Sequence, residues 1–261
     1  MNNFGVEYHI VDSCNLRCAG CSHYSSLLDE KTYRSVDDIM DDLCLLKDKV
    51  DNNLGWLRLM GGEPLLHPQI EECLIKIRSL FPKTDIRLIT NGILLKSMSD
   101  EFYSACVECD IKINITDYKI FDTKETIQNL RERGIVVSLY KSNTYWKYQH
   151  IRLTDSHIDC LSHCVMKSMC NNYRDGKIYL CPYIAYIDIF NKHFDKNIQL
   201  TDSDSVDLRY VNSLDDLKKQ IEDLHPNFCF QYCNCYDKQH PKKGEWEKTK
   251  KDINEFCLVE K

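Results

Sequence analysis

From Val6 to about Tyr140 the chain alternates between strand-like and helix-like segments, and that rhythm limits the folds open to it. VEYHIVD reads as a first strand. SVDDIMDDLCLLKDKVDN reads as a helix with Ser35 as N-cap and Ile39, Leu43 and Leu46 on one face. WLRLM, PQIEECLIKIRSLF and DIRLIT follow as strand, helix and strand. A helix over 99–107, the strand DIKINIT, the helix KETIQNLRERG ending at Gly134 and the strand IVVSLY complete the series. Strand–helix units joined by short links predict a parallel sheet. Five units are too few for an eight-stranded barrel, so the expected class is α/β, a partial (β/α) TIM-like barrel. After Tyr140 the rhythm breaks. KSNTYWKYQH is aromatic and polar, and the remainder is cysteine-rich, with GKIYLCPYIAYIDIF reading as hairpin-like. The expected division is a barrel over 1–148 and a small cysteine-rich α+β domain over 149–261.

In such barrels chemistry collects at the C-terminal ends of the strands. A cysteine triplet (Cys14, Cys18, Cys21) follows the first strand and GGEP (Gly61 to Pro64) the second. TNG (Thr90 to Gly92) follows the third and TDY (Thr116 to Tyr118) the fourth. The formal net charge of −6, with both signs scattered, argues against a nucleic-acid or anionic-membrane surface. There is no run of membrane-spanning length, and MNNFGVEYHIVDS lacks the basic and apolar regions of a signal peptide. The expectation is a soluble cytoplasmic protein without nucleic-acid or membrane partners.

Fifteen cysteines are a heavy load for a reducing compartment, and their odd number forbids complete disulfide pairing. Two dense groups, at 14–21 and from Cys160 to Cys257, suit iron–sulfur or zinc ligation. At the triplet, spacing alone admits zinc with His23 as a fourth ligand. Cys44, Cys73, Cys106 and Cys109 are expected to be buried as small apolar residues.

The order CxxxCxxC, GGEP and TNG after successive strands resembles the radical S-adenosylmethionine superfamily, over roughly the first 140 residues. The resemblance implies that Cys14, Cys18 and Cys21 hold a [4Fe–4S] cluster whose open iron chelates the amino and carboxylate groups of S-adenosylmethionine. Gly61, Gly62 and Glu63 would meet the methionyl amino group. Asn91 would lie near the ribose or carboxylate, or simply shape a turn with Gly92. Many members carry an aromatic residue before the third cysteine. Gly20 stands there in this chain, as in one branch of the superfamily, leaving His23 or Tyr24 as candidates for adenine recognition. Further on, Cys164 and Cys181 flank Gly176 in a pattern similar to the opening of SPASM and twitch auxiliary-cluster extensions. Cys170 competes with Cys164, and Cys229, Cys233 and Cys235 would close the site. The shorter twitch type, with one auxiliary [4Fe–4S] cluster, fits the number of cysteines. Cys160 and Cys257 are left over, and a zinc ribbon is the alternative.

By the same resemblance, cleavage of S-adenosylmethionine yields a 5′-deoxyadenosyl radical that abstracts a substrate hydrogen, and an auxiliary cluster makes net oxidation natural. Oxidoreductase and epimerase chemistry are both open. The first strand begins almost at once, without the peptide-recognition segment of peptide-modifying members. That favours a small, carbohydrate-like substrate over a peptide maturase. Asp117, Tyr118 and Lys141, with Tyr145, Trp146 and Lys147, are the substrate-side candidates, and Asp117 could instead cap the next helix. A flavodoxin or ferredoxin is the expected electron donor. A zinc-stapled binding protein is the alternative of another class.

Overall fold

The computed structural model describes residues 4–141, 145–147, 151–154, 161, 164, 170–234 and 242–259, with the backbone alone at 141, 145–147 and 242–244. Two compact units emerge, one of 1–15 and 31–143, the other of 16–30 and 144–261. Leu16–Glu30 therefore belongs with the second unit, which a linear division at 148 does not anticipate.

The first unit holds β1 (Gly5–Val11), β2 (Trp56–Gly61), β3 (Asp85–Thr90), β4 (Lys112–Asp117) and β5 (Val137–Lys141), linked by α1 (Val36–Val50), α2 (Ile70–Leu80), α3 (Asp100–Glu108) and α4 (Lys124–Glu132). Each strand pairs in parallel with the next, in the order of the chain. The parallel α/β sheet expected from the alternation is present. β1 is buried at every position, whereas β2 and β3 bury alternate residues. Burial of β1 includes Glu7, whose Oε1 accepts from Nη1 of its register partner Arg58 at 2.8 Å. Gly5 faces Trp56 in register, and a Cβ there would meet the indole at 2.1 Å.

The linking helices start on caps legible in sequence. Ser35 Oγ accepts from Asp38 N, and Ser99 Oγ accepts from Phe102 N. The apolar stripe of α1 (Ile39, Leu43, Leu46) is wholly buried. Cys73, Cys106 and Cys109 are buried as expected, but Cys44 is exposed. It is one residue past Leu43, about 100° round the helix, and so turns away from the packed face.

In the second unit β6 (Tyr145–Lys147) pairs antiparallel with β11 (Lys242–Gly244), and β7 (Ile151–Leu153) pairs in parallel with β12 (Cys257–Val259). β8 (Asn172–Arg174) and β9 (Lys177–Tyr179) form a hairpin extended by β10 (Val206–Asp207). Its turn, Asp175-Gly176, has φ of 51° and 75°, the left-handed pair that a two-residue hairpin needs. The hairpin stops at Tyr179. PYIAYIDIF, read in sequence as its continuation, forms α5 (Pro182–Ala185) and α6 (Ile187–Phe194), because Pro182 starts a helix readily and cannot donate to a ladder. α7 (Leu214–Glu222) and α8 (Asn227–Gln231) follow. The core gathers Tyr24, Ile151, Ile184, Tyr186, Phe190, Phe228 and Phe256, with Cys229 and Cys257 among them. No helix among the described residues is long and apolar enough to cross a membrane.

Candidate functional site

Because β1 to β5 are parallel, their C-terminal ends share one rim of the first unit. The chain leaving β1 is held by Thr32, whose carbonyl accepts from Asp12 N at 3.1 Å and whose N–H donates to Ser13 Oγ at 3.2 Å. The turn after β2 docks on it. Gly62 N donates to Val11 O at 2.9 Å, and Glu63 N donates to Ser13 O at 3.0 Å. Gly61 has φ +146°, and a Cβ there would lie 1.8 Å from Val11 O; at Gly62 it would lie 2.2 Å from Ser13 O. These are backbone atoms with little freedom to yield, so both positions require glycine.

Glu63 is fully buried and ties this turn to the end of β3. Thr90 Oγ1 donates to its Oε1 at 2.6 Å, Leu65 N to the same oxygen at 3.2 Å, and Asn91 N to Oε2 at 2.9 Å. Burial pushes the carboxyl up to about 7, even though all three hydrogen bonds favour its charged form. Asn91 carries the connection back to the loop after β1. Its Nδ2 donates to Asn15 Oδ1 at 2.8 Å and lies 3.9 Å from Cys14 Sγ, while its Oδ1 accepts from Ile93 N at 3.0 Å. Gly61, Gly62, Glu63, Asn91 and Cys14 thus stand on three adjoining strand ends. Ser13, Asn15, Thr32 and Thr90 complete the arrangement, although none was singled out from sequence. Asn15 and Thr90 lay inside quoted motifs, but partners 76 and 27 positions away leave no local signal.

Farther along the rim, Asp117 stands opposite Lys141 in the β4–β5 register. Asp117 Oδ1 accepts from Lys119 N at 2.8 Å, closing a turn, and the first turn of α4 is preceded by Thr123. Asp117 and Tyr118 are both half-buried. The side chains of Lys141, Tyr145, Trp146 and Lys147 lie outside the described residues.

Cys18 and Cys21 fall in the second unit. Cys18 is buried and accepts from Trp246 Nε1 at 3.1 Å. Burial pushes the Cys21 thiol up. Tyr24, considered in sequence for adenine recognition, is wholly buried, with its ring against Tyr183, Phe190 and Phe256 at 5.9, 5.5 and 6.1 Å. Its face is taken up by core packing. His23 lies beside Tyr186 at 5.7 Å and shares a 3.1 Å hydrogen bond with Ser22 Oγ.

Cys21, Cys181 and Cys233 pack against the core that contains Cys229 and Cys257. Burial raises the Cys181 thiol far above its ordinary range, and the thiols of Cys164 and Cys170 add to the effect. Cys235 and Cys160 lie outside the described residues. No disulfide joins one described cysteine to another. Among the described residues no three His, Cys, Asp or Glu side chains stand together as a metal site. The donor set nevertheless fits iron–sulfur chemistry: the sulfurs are soft ligands, and one of them, Cys18 Sγ, receives an N–H hydrogen bond.

Residues 8–116 match the family profile described as Radical SAM superfamily. The chain is 34% identical over 122 residues to a GTP 3′,8-cyclase of Microcystis aeruginosa (strain NIES-843 / IAM M-2473), a match covering 45% of this chain and 36% of the relative. A GTP 3′,8-cyclase of Crocosphaera subtropica (strain ATCC 51142 / BH68) is 36% identical over 125 residues, covering 47% and 36%. The chain thus spans about a third of the length of these curated relatives. Among solved structures, BtrN in complex with AdoMet and 2-DOIA shares the fold at a TM-score of 0.50, with 16% identity and coverage of 94% of this chain and 99% of that one. Residues 8–116, which carry the glycine turn, the buried glutamate and the asparagine on adjoining strand ends, are thus similar to the radical SAM superfamily.

Proposed function

We propose that the chain is a radical S-adenosylmethionine enzyme acting on a small organic substrate. The rim of the first unit supports this best: one buried carboxylate, Glu63, joins the glycine turn to Thr90 and Asn91, and Asn91 reaches Asn15 beside Cys14. Cys14, Cys18 and Cys21 are assigned as ligands of a [4Fe–4S] cluster. When bound, the cluster and S-adenosylmethionine supply reductive cleavage of the sulfonium and hydrogen-atom abstraction. Gly61 and Gly62 bring bare backbone to the methionyl amino group, and Glu63 holds that backbone in place. Asn91 orients the loop that carries Cys14 and offers its amide toward the ribose or carboxylate. Asp117, Tyr118 and Lys141 are assigned to the substrate side, where Asp117 and Lys141 adjoin in register.

Cys164, Cys170, Cys181, Cys229, Cys233 and Cys235 are the candidates for a second, twitch-like cluster. The influence of Cys164 and Cys170 on the Cys181 thiol supports that assignment, as does the packing of Cys181 and Cys233 on the core containing Cys229. The auxiliary-cluster candidates favour net oxidation of a small, carbohydrate-like substrate, and the BtrN structure of similar fold holds AdoMet and 2-DOIA. The names of the curated relatives favour a purine nucleotide as a second substrate class. Flavodoxin or ferredoxin is the proposed electron donor.

Anaerobic reconstitution with iron and sulfide tests this, on the wild type and on a variant with Cys14, Cys18 and Cys21 all replaced by Ala. The expected result is about eight irons falling to about four, and 5′-deoxyadenosine formed under dithionite by the wild type alone. Zinc in place of iron, with no visible absorbance, would overturn the proposal. Four irons in the wild type, all lost in the variant, would remove the auxiliary cluster and keep the rest. GTP and aminocyclitol-type alcohols are then compared for substrate-dependent 5′-deoxyadenosine.

A further inference from the structure

We propose that Trp246 is a positioning residue for the cluster-binding loop: its indole N–H donates to the sulfur of Cys18 and raises the reduction potential of the cluster that this cysteine ligates. The inference rests on the assignment of Cys18 as a ligand.

Several hydrogen bonds place the indole. The segment around Lys248 pairs antiparallel with the cysteine loop, Cys18 facing Lys248. Ala19 N donates to Glu247 O at 2.9 Å, and Thr249 N donates to Arg17 O at 2.9 Å. Trp246 lies two residues from the partner of Cys18, the diagonal position that a long aromatic side chain can bridge. Its Nε1 is 3.1 Å from Cys18 Sγ. The segment is anchored beyond that contact. Lys251 Nζ donates to Leu27 O at 3.3 Å and pairs with Asp29, and Thr249 Oγ1 donates to Glu255. All of these partners belong to the second unit.

An indole N–H donates and cannot accept, so the sulfur is the acceptor. A neutral thiol is a poor acceptor, whereas a thiolate bound to iron carries charge that grows when the cluster takes an electron. The hydrogen bond therefore strengthens on reduction and favours the reduced form. Cys18 is buried, so little water competes for the sulfur. A side chain that only filled space would have no need to direct its single polar hydrogen at this atom.

The test is a dye-mediated reductive titration of the anaerobically reconstituted full chain, followed by EPR. The cluster is identified as the one whose signal changes when S-adenosylmethionine is added. Trp246→Phe keeps the apolar ring and removes the donor. The expected result is unchanged iron content and a reduction equilibrium about tenfold less favourable, about 59 mV for one electron. An unchanged or raised potential in Trp246→Phe would overturn the inference. Should Trp246→Phe lose iron, Trp246→His, which returns an N–H donor, decides. Iron retained at a potential near the wild type supports the inference, and iron lost from both variants reduces Trp246 to packing. A wild type that binds no iron would instead remove the ligand assignment itself, which distinguishes the two failures.

Discussion

At the scale of single residues, Glu63 has a structural part that its motif alone does not reveal. In sequence the carboxylate invites pairing with an ammonium group. In the structure it is wholly buried and occupied by Thr90, Asn91 and Leu65, so it works as a brace between two loops. Its carboxyl, pushed by burial from 4.5 to about 7, ties stability to pH. Between those two values the folded chain holds a proton that the unfolded chain has released. Stability from this group is therefore full below 4.5, falls as pH rises toward 7, and is level above. Carried at about 1.4 kcal/mol per pH unit, the loss is about 3 kcal/mol. Glu63→Gln has nearly the same volume and no titration. Urea unfolding of both proteins from pH 4 to pH 8 should show the wild type losing about 3 kcal/mol relative to the variant across that window. A constant difference would mean that Glu63 titrates near its ordinary value.

At the scale of elements, the first unit was largely legible because its signals are local. Ser35 and Ser99 cap their helices, α1 carries its apolar stripe at helical spacing, and five strands separated by four helices admit little but a parallel sheet. Legibility failed where a decision depended on a distant partner or a single angle. The stretch after Cys181 is apolar enough for strand or helix, and Pro182 at its start decides the outcome. Cys44 follows the inward Leu43 but faces outward, a distinction visible only when each position is turned through its helical angle. It has a chemical consequence. Cys73 and Cys106 are pushed up to about 12 by burial on α2 and α3, so they resist alkylation while folded. Brief iodoacetamide treatment of the native protein, read by peptide mapping, should modify Cys44 and leave Cys73 and Cys106 intact until denaturant is added. Equal labelling of the three would show that α1 to α3 do not pack as described.

For the whole molecule, the two units differ in what completes their cores. The first is filled mainly by hydrocarbon: Leu43, Leu57, Ile77, Leu88 and Ile113 are all fully buried, and Cys73 and Cys106 are buried on separate helices. In the second, Cys229 and Cys257 lie within the core, and Cys21, Cys181 and Cys233 pack against it. Burial raises the thiols of Cys21, Cys181 and Cys257, so without metal they are held protonated and contribute only as small apolar groups. Metal binding removes those protons and returns its binding free energy to the fold, so it should stabilise the second unit far more than the first. Hydrogen exchange of the iron-loaded and the chelated protein separates the two. Peptides from 182–194 and 226–234 should exchange at least about tenfold faster after iron removal, a loss of about 1.4 kcal/mol or more, while those from 36–50 and 70–80 keep their protection. The decisive peptide is 16–30. It follows β1 directly in the chain, yet it packs with the second unit, where Tyr24 and Leu27 are buried in the core. Its protection should fall with that of the distant C-terminal peptides and not follow its neighbours at 5–15. If 16–30 instead kept the protection of β1 after chelation, the metal would be supporting the C-terminal segments alone, and the cysteine loop would owe its structure to the first unit.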